Sequence, residues 1–425
     1  MKKILVIALV ALAACGFVFA KGASEASPAA EAGPKPELTT LKVWYSISGN
    51  NGKFFESQAQ AFDEAHPEIA LELTYTGKYS DTATKVSAAK VSGEAPDVLI
   101  TAASQLYTGE DGNFTIEEDV KDAEFKFDDI QTGVLEYAKY NDRLASLPFG
   151  ISTQVMYYNK NLAKAAGVDL EKNPPKTWSE FVTVASAIQK ASGNPDVWGF
   201  DTSDGVWLIK SMLNQNGNSV VQMKDGKIEP VFTEANAIEV ADFWKSLVDS
   251  KLMPAGQHDN AEKKFLAGNL VFVAATSNRI SKWAGSTDFE LGAIEMPYFK
   301  KQSVAMGGST ATIMATDYWK HDASWQLLKF VLNTDNQTAF ALTSGYLPIR
   351  KSSLEMADVK SYVAGSELYS VAIKQLSYAW AYTHFAEMGS MDSFFWYALD
   401  EIERGVKTPE QAFKDASASL VAEME

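Results

Sequence analysis

The feature that most constrains the fold of this chain is an alternation of strand-like and helix-like apolar patterns in its first hundred residues. Residues 41–45 predict a strand, apolar side chains at helical spacing follow over 55–65, and residues 71–75 alternate as a second strand. Asp81 is expected to cap a second helix, and residues 97–100 read as a short buried strand. Strand, helix, strand, helix, strand in this order indicates a parallel α/β sheet.

The same type of pattern returns later in the chain. Residues 155–158 and 270–275 read as buried strands. Thr177 and Glu180 predict a capping box, in which each side chain accepts a hydrogen bond from the backbone of the other residue. A similar box at 408–411, with proline in the first turn, opens the last helix. About 385 residues follow residue 40, too many for one hydrophobic core, so at least two domains are expected.

The N-terminus reads as a secretion signal over residues 1–20. Two lysines precede an apolar run of 11 residues, which is too short to span a bilayer. Two processing sites compete. Residues 12–15 match a lipobox, in which Cys15 would be acylated and hold the protein at the membrane. Residues 18–20 match an ordinary cleavage site. Cys15 is the only cysteine in the chain, which favours the lipoprotein.

The segment after the signal, residues 21–39, is rich in Ala, Pro, Glu and Ser and predicts a disordered tether. The formal net charge of −16 argues against nucleic acid and anionic lipid surfaces as partners. Because no cysteine follows the signal, the exported fold uses no disulfide.

The sequence carries no pattern for a metal site or a cofactor. Its four histidines, His66, His258, His321 and His384, lie outside ligand spacing of one another and of a cysteine, so no zinc site is indicated. Neither a glycine-rich nucleotide loop nor a nucleophile elbow is present. Residues 111–116 begin like a calcium loop, but isoleucine stands where glycine is needed.

Six short segments carry a resemblance to a known family. They are KVWYSISG (42–49), GEAPDV (93–98), PFGISTQVMYYNK (148–160), PPKTWSEF (174–181), MGGS (306–309) and SGYLPIR (344–350). The series resembles the extracellular solute-binding proteins of ABC importers, in the class that includes maltose-binding protein. Within that class it is most similar to the glycerol-3-phosphate-binding branch and its sugar-binding relatives. The resemblance runs from about residue 41 to the C-terminus and implies an α/β, two-lobed periplasmic binding protein of type II.

The resemblance also implies discontinuous lobes joined by a three-segment hinge. The crossings between lobes map near residues 147–152, 292–297 and 346–350. The implied N-terminal lobe comprises residues 40–148 and 297–346, and the C-terminal lobe comprises 149–296 and 347–425. Such a hinge lets the lobes rotate as bodies around a ligand in the cleft.

The ligand contacts of the family map onto polar and aromatic residues. These candidates are Tyr45, Tyr79, Ser152, Asp204, Trp207, Ser277, Gly307, Gly308, Tyr346, Trp380, Tyr382 and His384. Aromatic faces would cover the C–H surfaces of a sugar, while hydroxyls and backbone N–H groups would meet its polar atoms. Each candidate has a structural alternative: core packing for the aromatic residues, a hinge hydrogen bond for Ser152 and a tight turn for the two glycines.

The chain departs from the glycerol-3-phosphate-binding branch at the polar end of the expected site. That branch has an arginine that clamps the phosphate downstream of an Ile-Lys-Gln-Leu segment. Here residues 373–376 match the segment, but no arginine follows before Arg404. Ala103 stands where the branch has a glutamate contact. Trp380 and Tyr382, which follow the segment, favour a sugar.

The combined prediction is a sugar-binding receptor of an ABC importer that is not an enzyme. It is expected in the periplasm or on the outer face of the cytoplasmic membrane, as a monomer whose partners are the sugar and the transmembrane permease subunits. The alternative within the class is a receptor for glycerol-3-phosphate or a glycerophosphodiester, with the phosphate on the backbone N–H groups of Gly307 and Gly308. An exported glycoside hydrolase and a surface adhesin are the alternatives from other classes.

Overall fold

The computed structural model describes residues 33–103, 116–140, 143–225, 227–256, 258–382, 384–385 and 387–425. The predicted signal peptide, with Cys15, lies outside the described residues, as does most of the predicted tether. Residues 33–38 of that tether have no regular structure and are exposed, and the first strand begins at Thr39.

The strands are short except for two long ones near the middle of the sheet. They are β1 (Thr39–Tyr45), β2 (Ile69–Tyr75), β3 (Val98–Thr101), β4 (Lys139–Tyr140), β5 (Arg143–Leu144), β6 (Leu147–Asn159), β7 (Trp198–Thr202), β8 (Val221–Lys224), β9 (Lys227–Pro230), β10 (Leu270–Thr276), β11 (Leu291–Ile294), β12 (Val304–Ile313) and β13 (Ala379–Trp380).

Helices follow most strands of the first half and dominate the C-terminal quarter. They are α1 (Gly49–Ala65), α2 (Tyr79–Ser92), α3 (Thr132–Glu136), α4 (Lys160–Ala165), α5 (Trp178–Ser192), α6 (Gly205–Gln215), α7 (Ala235–Asp249), α8 (Ala261–Leu266), α9 (Arg279–Trp283), α10 (Tyr318–Val331), α11 (Thr334–Ser344), α12 (Lys351–Glu355), α13 (Ala357–Gly365), α14 (Glu367–Gln375), α15 (Met388–Glu403) and α16 (Pro409–Met424). None of the helices in the described ranges is long and apolar enough to cross a membrane.

The predicted parallel start of the sheet is confirmed. Strand β1 lies between β2 and β3 and pairs with both in parallel. It buries Leu41, Val43 and Tyr45 completely or nearly so, while the residues between them are half-buried, which is the alternation expected of a strand whose two faces are covered unequally. The full order is β2-β1-β3-β12-β6-β10-β7, with β11 also on β6 and β13 on β12.

Strand β6 is common to the two halves of this sheet. Its residues 147–153 pair antiparallel with β12, and its residues 154–158 pair antiparallel with β10. The chain therefore passes from one half of the sheet to the other within a single buried strand. This is the place in the fold where the first crossing between lobes is proposed. The exact division into lobes stays a prediction.

Helix termini follow local capping chemistry. The predicted box at Thr177 is confirmed: its Oγ1 accepts from the Glu180 N–H at 3.2 Å, and the Glu180 carboxylate accepts from the Thr177 N–H at 3.1 Å. The prediction that Asp81 is the N-cap of α2 is wrong by three residues, since the N-cap is Lys78. The helix begins at Tyr79, and Asp81 is its third residue, whose carboxylate accepts from the Lys78 N–H at 3.1 Å. An acidic side chain can satisfy a free N–H from inside the first turn, which a sequence pattern does not distinguish from a cap.

The predicted box that opens α16 is half formed. Thr408 Oγ1 accepts from the Gln411 N–H at 3.2 Å, with Pro409 in the first turn. The Gln411 side chain donates to Asp415 at 2.8 Å instead of turning back toward Thr408.

Candidate functional site

A cleft of about 1050 Å³ opens along the middle of the sheet. Its walls come from the loop after β1, the first turn of α2, the middle of β6 and β12, the first turns of α6 and α9, and the segment after α11. Most of these positions are strand ends and helix beginnings. Free backbone N–H groups and side chains converge there, as they do in other α/β ligand sites.

Eight of the twelve candidate residues from the sequence line this cleft. They are Tyr79, Ser152, Asp204, Trp207, Gly307, Gly308, Tyr346 and Tyr382. The structure thus brings together residues that are up to three hundred positions apart in the chain. Their role as ligand contacts stays a prediction, because a shared cleft does not by itself show what binds there.

Trp207 is fixed in the cleft wall by its neighbours on both sides. Its backbone N–H donates to Asp204 Oδ1 at 2.9 Å, which caps α6. Its indole lies against β12, because a Cβ added at Gly307 would be only 2.7 Å from Cζ2 of the ring. Glycine is therefore required at position 307, because a side chain there would overlap the indole ring. The partly exposed ring has little freedom to move away from the cleft.

Gly308 meets a different requirement. Its φ of +121° is a conformation that side chains rarely adopt, and a Cβ there would lie 1.9 Å from the carbonyl oxygen of Gly150. Its own carbonyl accepts a hydrogen bond from the Tyr137 hydroxyl at 3.2 Å. The tight turn considered from the sequence for these two glycines is wrong, since both lie inside β12 and pair with β6.

Tyrosines form one side of the cleft. The Tyr346 hydroxyl interacts with the side chains of both Tyr79 and Asn278, and burial raises the pKa of Tyr346. Burial likewise raises the pKa of Tyr79 and of Tyr382. These phenols stay protonated at neutral pH and can both donate and accept, which suits ligand hydroxyl groups.

Two aromatic candidates from the sequence lie behind the wall. Tyr45 packs on Phe55 and Tyr75, with ring centroids 5.2 and 5.7 Å away, and its hydroxyl donates to Glu56 at 2.5 Å. Trp380 lies in β13, where its ring contacts Tyr382 at 5.8 Å. Both residues pack against other side chains rather than line the cleft.

Ser277 and His384 also lie outside the cleft lining. Ser277 is fully buried, and its N–H donates to Thr153 O at 2.8 Å. The imidazole of His384 packs at about right angles on Tyr137, with centroids 5.1 Å apart. Burial lowers the pKa of His384 to about 3, so the ring is neutral and offers no positive charge to a phosphate.

Charged residues of the cleft were missed by the sequence reasoning. Lys210 is buried, pairs with Asp392 at 2.8 Å, and lies 4.3 Å from the centre of the Tyr382 ring. Arg279 pairs with Glu262 at 2.8 Å. Lys210 was detectable in principle, since it lies three residues after Trp207 and therefore on the same side of a helix. The partner of Lys210 is 182 residues away and that of Arg279 is 17 residues away, so neither pair follows from a local helix or strand pattern.

One further carboxylate faces the cleft. The Asp204 side chain is open to the cleft, yet the protein around it removes enough water to raise its pKa. Lys78 and Lys282 are exposed at the rim. Over the residues that the structure describes, no group of three or more acidic, histidine or cysteine side chains is placed to hold a metal ion.

A two-lobed α/β fold with a polar and aromatic cleft at the join defines a solute-binding receptor. The chain belongs to the family of bacterial extracellular solute-binding proteins, whose model matches residues 57–365, more than half of its length. It is a solute-binding receptor of the ABC transporter class, as the resemblance implied.

Known proteins similar to this chain are binding proteins. The sn-glycerol-3-phosphate-binding periplasmic protein UgpB of Salmonella paratyphi A is 26% identical over 411 residues, covering 89% of this chain and 91% of its own. UgpB of Escherichia coli K12 is likewise 26% identical, with the same shares covered.

Solved structures share the fold. The cyclic alpha-maltosyl-1,6-maltose binding protein from Arthrobacter globiformis has a TM-score of 0.77 at 22% identity, covering 90% of this chain and 98% of its own. UgpB from Mycobacterium tuberculosis, in complex with glycerophosphocholine, has a TM-score of 0.77 at 20% identity, with the same shares covered. The predicted two-lobed fold class is confirmed.

Proposed function

We propose that this chain captures a neutral sugar between its two lobes and delivers it to the permease of an ABC importer, without catalysing a reaction. The single observation that carries the proposal is the placement of Trp207. Its indole is held between the α6 cap and Gly307 and lines a cleft that Tyr346 and Tyr382 also line. A rigid aromatic surface with hydrogen-bonding groups around it suits a sugar ring, which has apolar C–H faces and a polar edge.

The charges of the cleft support a neutral ligand. Its two best-placed cations, Lys210 and Arg279, already have carboxylate partners at 2.8 Å. A phosphate that displaced such a partner would leave the carboxylate unpaired, which costs several kcal/mol in a partly buried site. A neutral sugar can accept hydrogen bonds from the same pairs without separating them.

A phosphate ester, such as glycerol-3-phosphate or a glycerophosphodiester, is the second candidate. Arg279 stands in the cleft wall, Lys78 and Lys282 are exposed at the rim, and the UgpB relatives are named for glycerol-3-phosphate. This arginine was not anticipated from the sequence. A phosphate at the rim would be partly solvated and would need less charge compensation than a buried one.

Titration calorimetry separates the two candidates. Neutral mono- and disaccharides, glycerol-3-phosphate and glycerophosphocholine are titrated into the exported protein at low and high salt. We expect micromolar or tighter binding of a neutral sugar, about −8 kcal/mol or stronger, and at least tenfold weaker binding of glycerol-3-phosphate. Tight binding of a phosphate ester that weakens with salt, with no response to sugars, would establish the second candidate instead.

A tryptophan pair provides the matched control. Trp207→Ala should weaken sugar binding by about 1–3 kcal/mol, the scale of a lost aromatic contact. Trp319→Ala removes another partly buried tryptophan, which contacts Gly33 and lies outside the cleft lining, and it should leave affinity unchanged. Equal affinity of the two variants would contradict the placement of the sugar.

Export and anchoring also belong to the proposal. The family is extracellular and the UgpB relatives are periplasmic by name. We propose that the N-terminus is a secretion signal cleaved before Cys15, that Cys15 then carries a lipid, that residues 21–39 tether the receptor to the membrane surface, and that the receptor acts as a monomer.

A further inference from the structure

The start of helix α6 carries two of the candidate site residues, Asp204 and Trp207. Strand β7 ends at Thr202 and α6 begins at Gly205, so two residues turn the chain from the strand into the helix. Asp204 caps the helix by accepting from the Trp207 N–H at 2.9 Å. The direction in which this turn leaves β7 therefore sets where the Trp207 indole lies in the cleft wall.

The turn is held through the carboxylate of Asp201, which is fully buried. Its Oδ1 accepts from the Thr202 N–H at 2.8 Å and lies 2.8 Å from Nδ1 of His258, 57 residues further along the chain. Among the residues that the structure describes, no group hydrogen-bonds to its other oxygen. His258 is therefore the side chain that ties this carboxylate, and with it the end of β7, to the rest of the fold.

The ring of His258 is fixed on its opposite side by Glu403, at the end of α15. Its Nε2 lies 2.8 Å from Glu403 Oε1, which also accepts from the Trp244 indole N–H at 2.8 Å. The second oxygen of Glu403 accepts from the Gly256 N–H at 2.6 Å, in the loop that leads to His258. Both ring nitrogens thus have a carboxylate partner, which holds the imidazole in one orientation.

Helix α6 begins close over the rings of His258 and Trp244. A Cβ added at Gly205, the first residue of the helix, would lie 3.5 Å from Cδ2 of His258 and 3.5 Å from two ring carbons of Trp244. These are van der Waals distances, so the breadth of about one atom separates the rings from the backbone of the first turn. Because packing of this kind transmits displacements, a change in the position of His258 moves the turn that carries Asp204 and Trp207.

His258 does not line the main cleft, so it acts on a ligand there only through other residues. We propose that His258, held by Glu403, is a positioning residue of the ligand site: it fixes the turn before α6 and thereby the direction in which Trp207 faces the ligand. The inference rests on the proposed function only for the identity of that ligand. An indole that is fixed before the ligand arrives loses little freedom on binding, which raises affinity.

Fluorine NMR of protein that contains 5-fluorotryptophan tests the position of the indole without any ligand. Each of the ten tryptophans gives one signal, and Trp207→Phe identifies the signal of Trp207. In His258→Gln we expect the Trp207 signal to shift or to split, because the turn before it gains alternative positions. The signal of Trp319, which lies outside the cleft lining, should stay unchanged.

Calorimetry tests the consequence for binding. At a temperature well below unfolding, His258→Gln should weaken binding of the best sugar about tenfold, and the same change in a Trp207→Ala background should weaken it no further. A role in stability alone leaves the affinity of the folded protein unchanged, so this loss distinguishes positioning from support of the fold. Asp201→Asn keeps the acceptor and the shape of the side chain. It should act in the same direction more weakly, and it replaces His258→Gln if that variant does not fold.

His321→Gln is the matched control. This histidine also has a carboxylate partner, with its Nε2 2.9 Å from Asp119 Oδ1, but it lies on α10 and does not line the cleft. The control should keep both the Trp207 signal and the affinity of the wild type. A Trp207 signal that is unchanged in His258→Gln, or an equal loss of affinity with and without Trp207, would refute the positioning role, while sugar binding by the wild type upholds the proposed function. If the wild type binds no sugar, the proposed function fails, and the fluorine spectra alone decide the role of His258.

Discussion

The strongest stability prediction concerns His258, which links two parts of the C-terminal half. Its Nδ1 lies 2.8 Å from Asp201 Oδ1 in β7, and its Nε2 lies 2.8 Å from Glu403 Oε1 at the end of α15. Both carboxylate side chains are at most 1% exposed. Two acceptors around one ring require both nitrogens to be protonated, so the imidazole is a cation between two anions.

The magnitude follows from the pKa of His258. Burial by itself lowers this pKa, but hydrogen bonds and charge from Asp201 and Glu403 outweigh it and raise the pKa to about 10, from 6.5. At about 1.4 kcal/mol per pKa unit, raising the pKa from 6.5 to about 10 stabilises the folded protein by about 5 kcal/mol at most. Since the folded pKa is raised, this stabilisation is fully present below pH 6.5 and is lost as pH rises toward 10.

His258→Gln tests this reasoning, because it leaves two buried carboxylates without their cation. We expect the free energy of unfolding to fall by about 3–5 kcal/mol at pH 6 to 7. The difference in the free energy of unfolding between the variant and the wild type should shrink by about 1.4 kcal/mol for each pH unit up to about pH 9. Urea unfolding followed by circular dichroism at pH 6, 7, 8 and 9 measures it.

His66→Gln is the control for this series. His66 is partly exposed, stacks on Phe62 at 4.4 Å and has Glu68 at 3.6 Å. Its replacement should change the free energy of unfolding by less than about 1 kcal/mol. A His258→Gln deficit that stays constant between pH 6 and 9, or that is no larger than that of the control, would refute a charged histidine between Asp201 and Glu403.

Three further predictions concern the cleft, its closure and its anchor. Gly308→Ala should prevent folding or destabilise the protein severely, because its Cβ would lie 1.9 Å from a backbone oxygen. Gly307→Ala should fold, but it should displace Trp207 and weaken sugar binding about tenfold. Expression levels and calorimetry distinguish the two variants, and equal behaviour of both would contradict the geometry. Small-angle scattering should show a smaller radius of gyration when ligand saturates the receptor, and an unchanged profile would contradict the hinge. Cys15→Ala should move the protein from the membrane fraction to soluble exported material; a wild type that is already soluble and begins at Lys21 would refute the lipoprotein.

The sequence predicts the elements better than the contacts between them. Strand alternation and the box at Thr177 depend on neighbours within a few residues, so the positions of β1, β2 and α5 are readable in advance. The link through His258 is not, because its partners are 57 and 145 residues away and each looks like an ordinary acidic side chain. The same holds for the pair of Lys210 with Asp392, 182 residues away, which reduces the charge that the cleft offers to a ligand.

The prediction of Trp207 and Gly307 is only partly successful, because it gives the two residues but not the contact between them. The resemblance predicts both as site residues, and both line the cleft. Glycine was expected there because a backbone N–H approaches the ligand or the chain turns. The structure gives another reason, the 2.7 Å that would separate a Cβ from the indole. Complementary shape between two distant residues has no signature in either local sequence.

The segment at 373–376, which the sequence reasoning used to locate the polar end of the ligand, has a structural role. The side chain of Gln375 is fully buried; its Oε1 accepts from the Met296 N–H at 2.8 Å, and its Nε2 donates to Gln154 O at 2.7 Å. Nε2 also lies 3.1 Å from Thr153 Oγ1. Thr153 and Gln154 are where β6 changes partner from β12 to β10.

Gln375 therefore connects Met296, in the second proposed crossing between lobes, with Thr153 and Gln154, which directly follow the first. An unsatisfied buried amide costs about 1–3 kcal/mol, so we expect these hydrogen bonds to persist while the lobes rotate and the backbone on either side to absorb the motion. It follows that the lack of an arginine after this segment is weak evidence about the ligand. The case for a neutral sugar depends instead on Trp207 and on the carboxylate partners of Lys210 and Arg279.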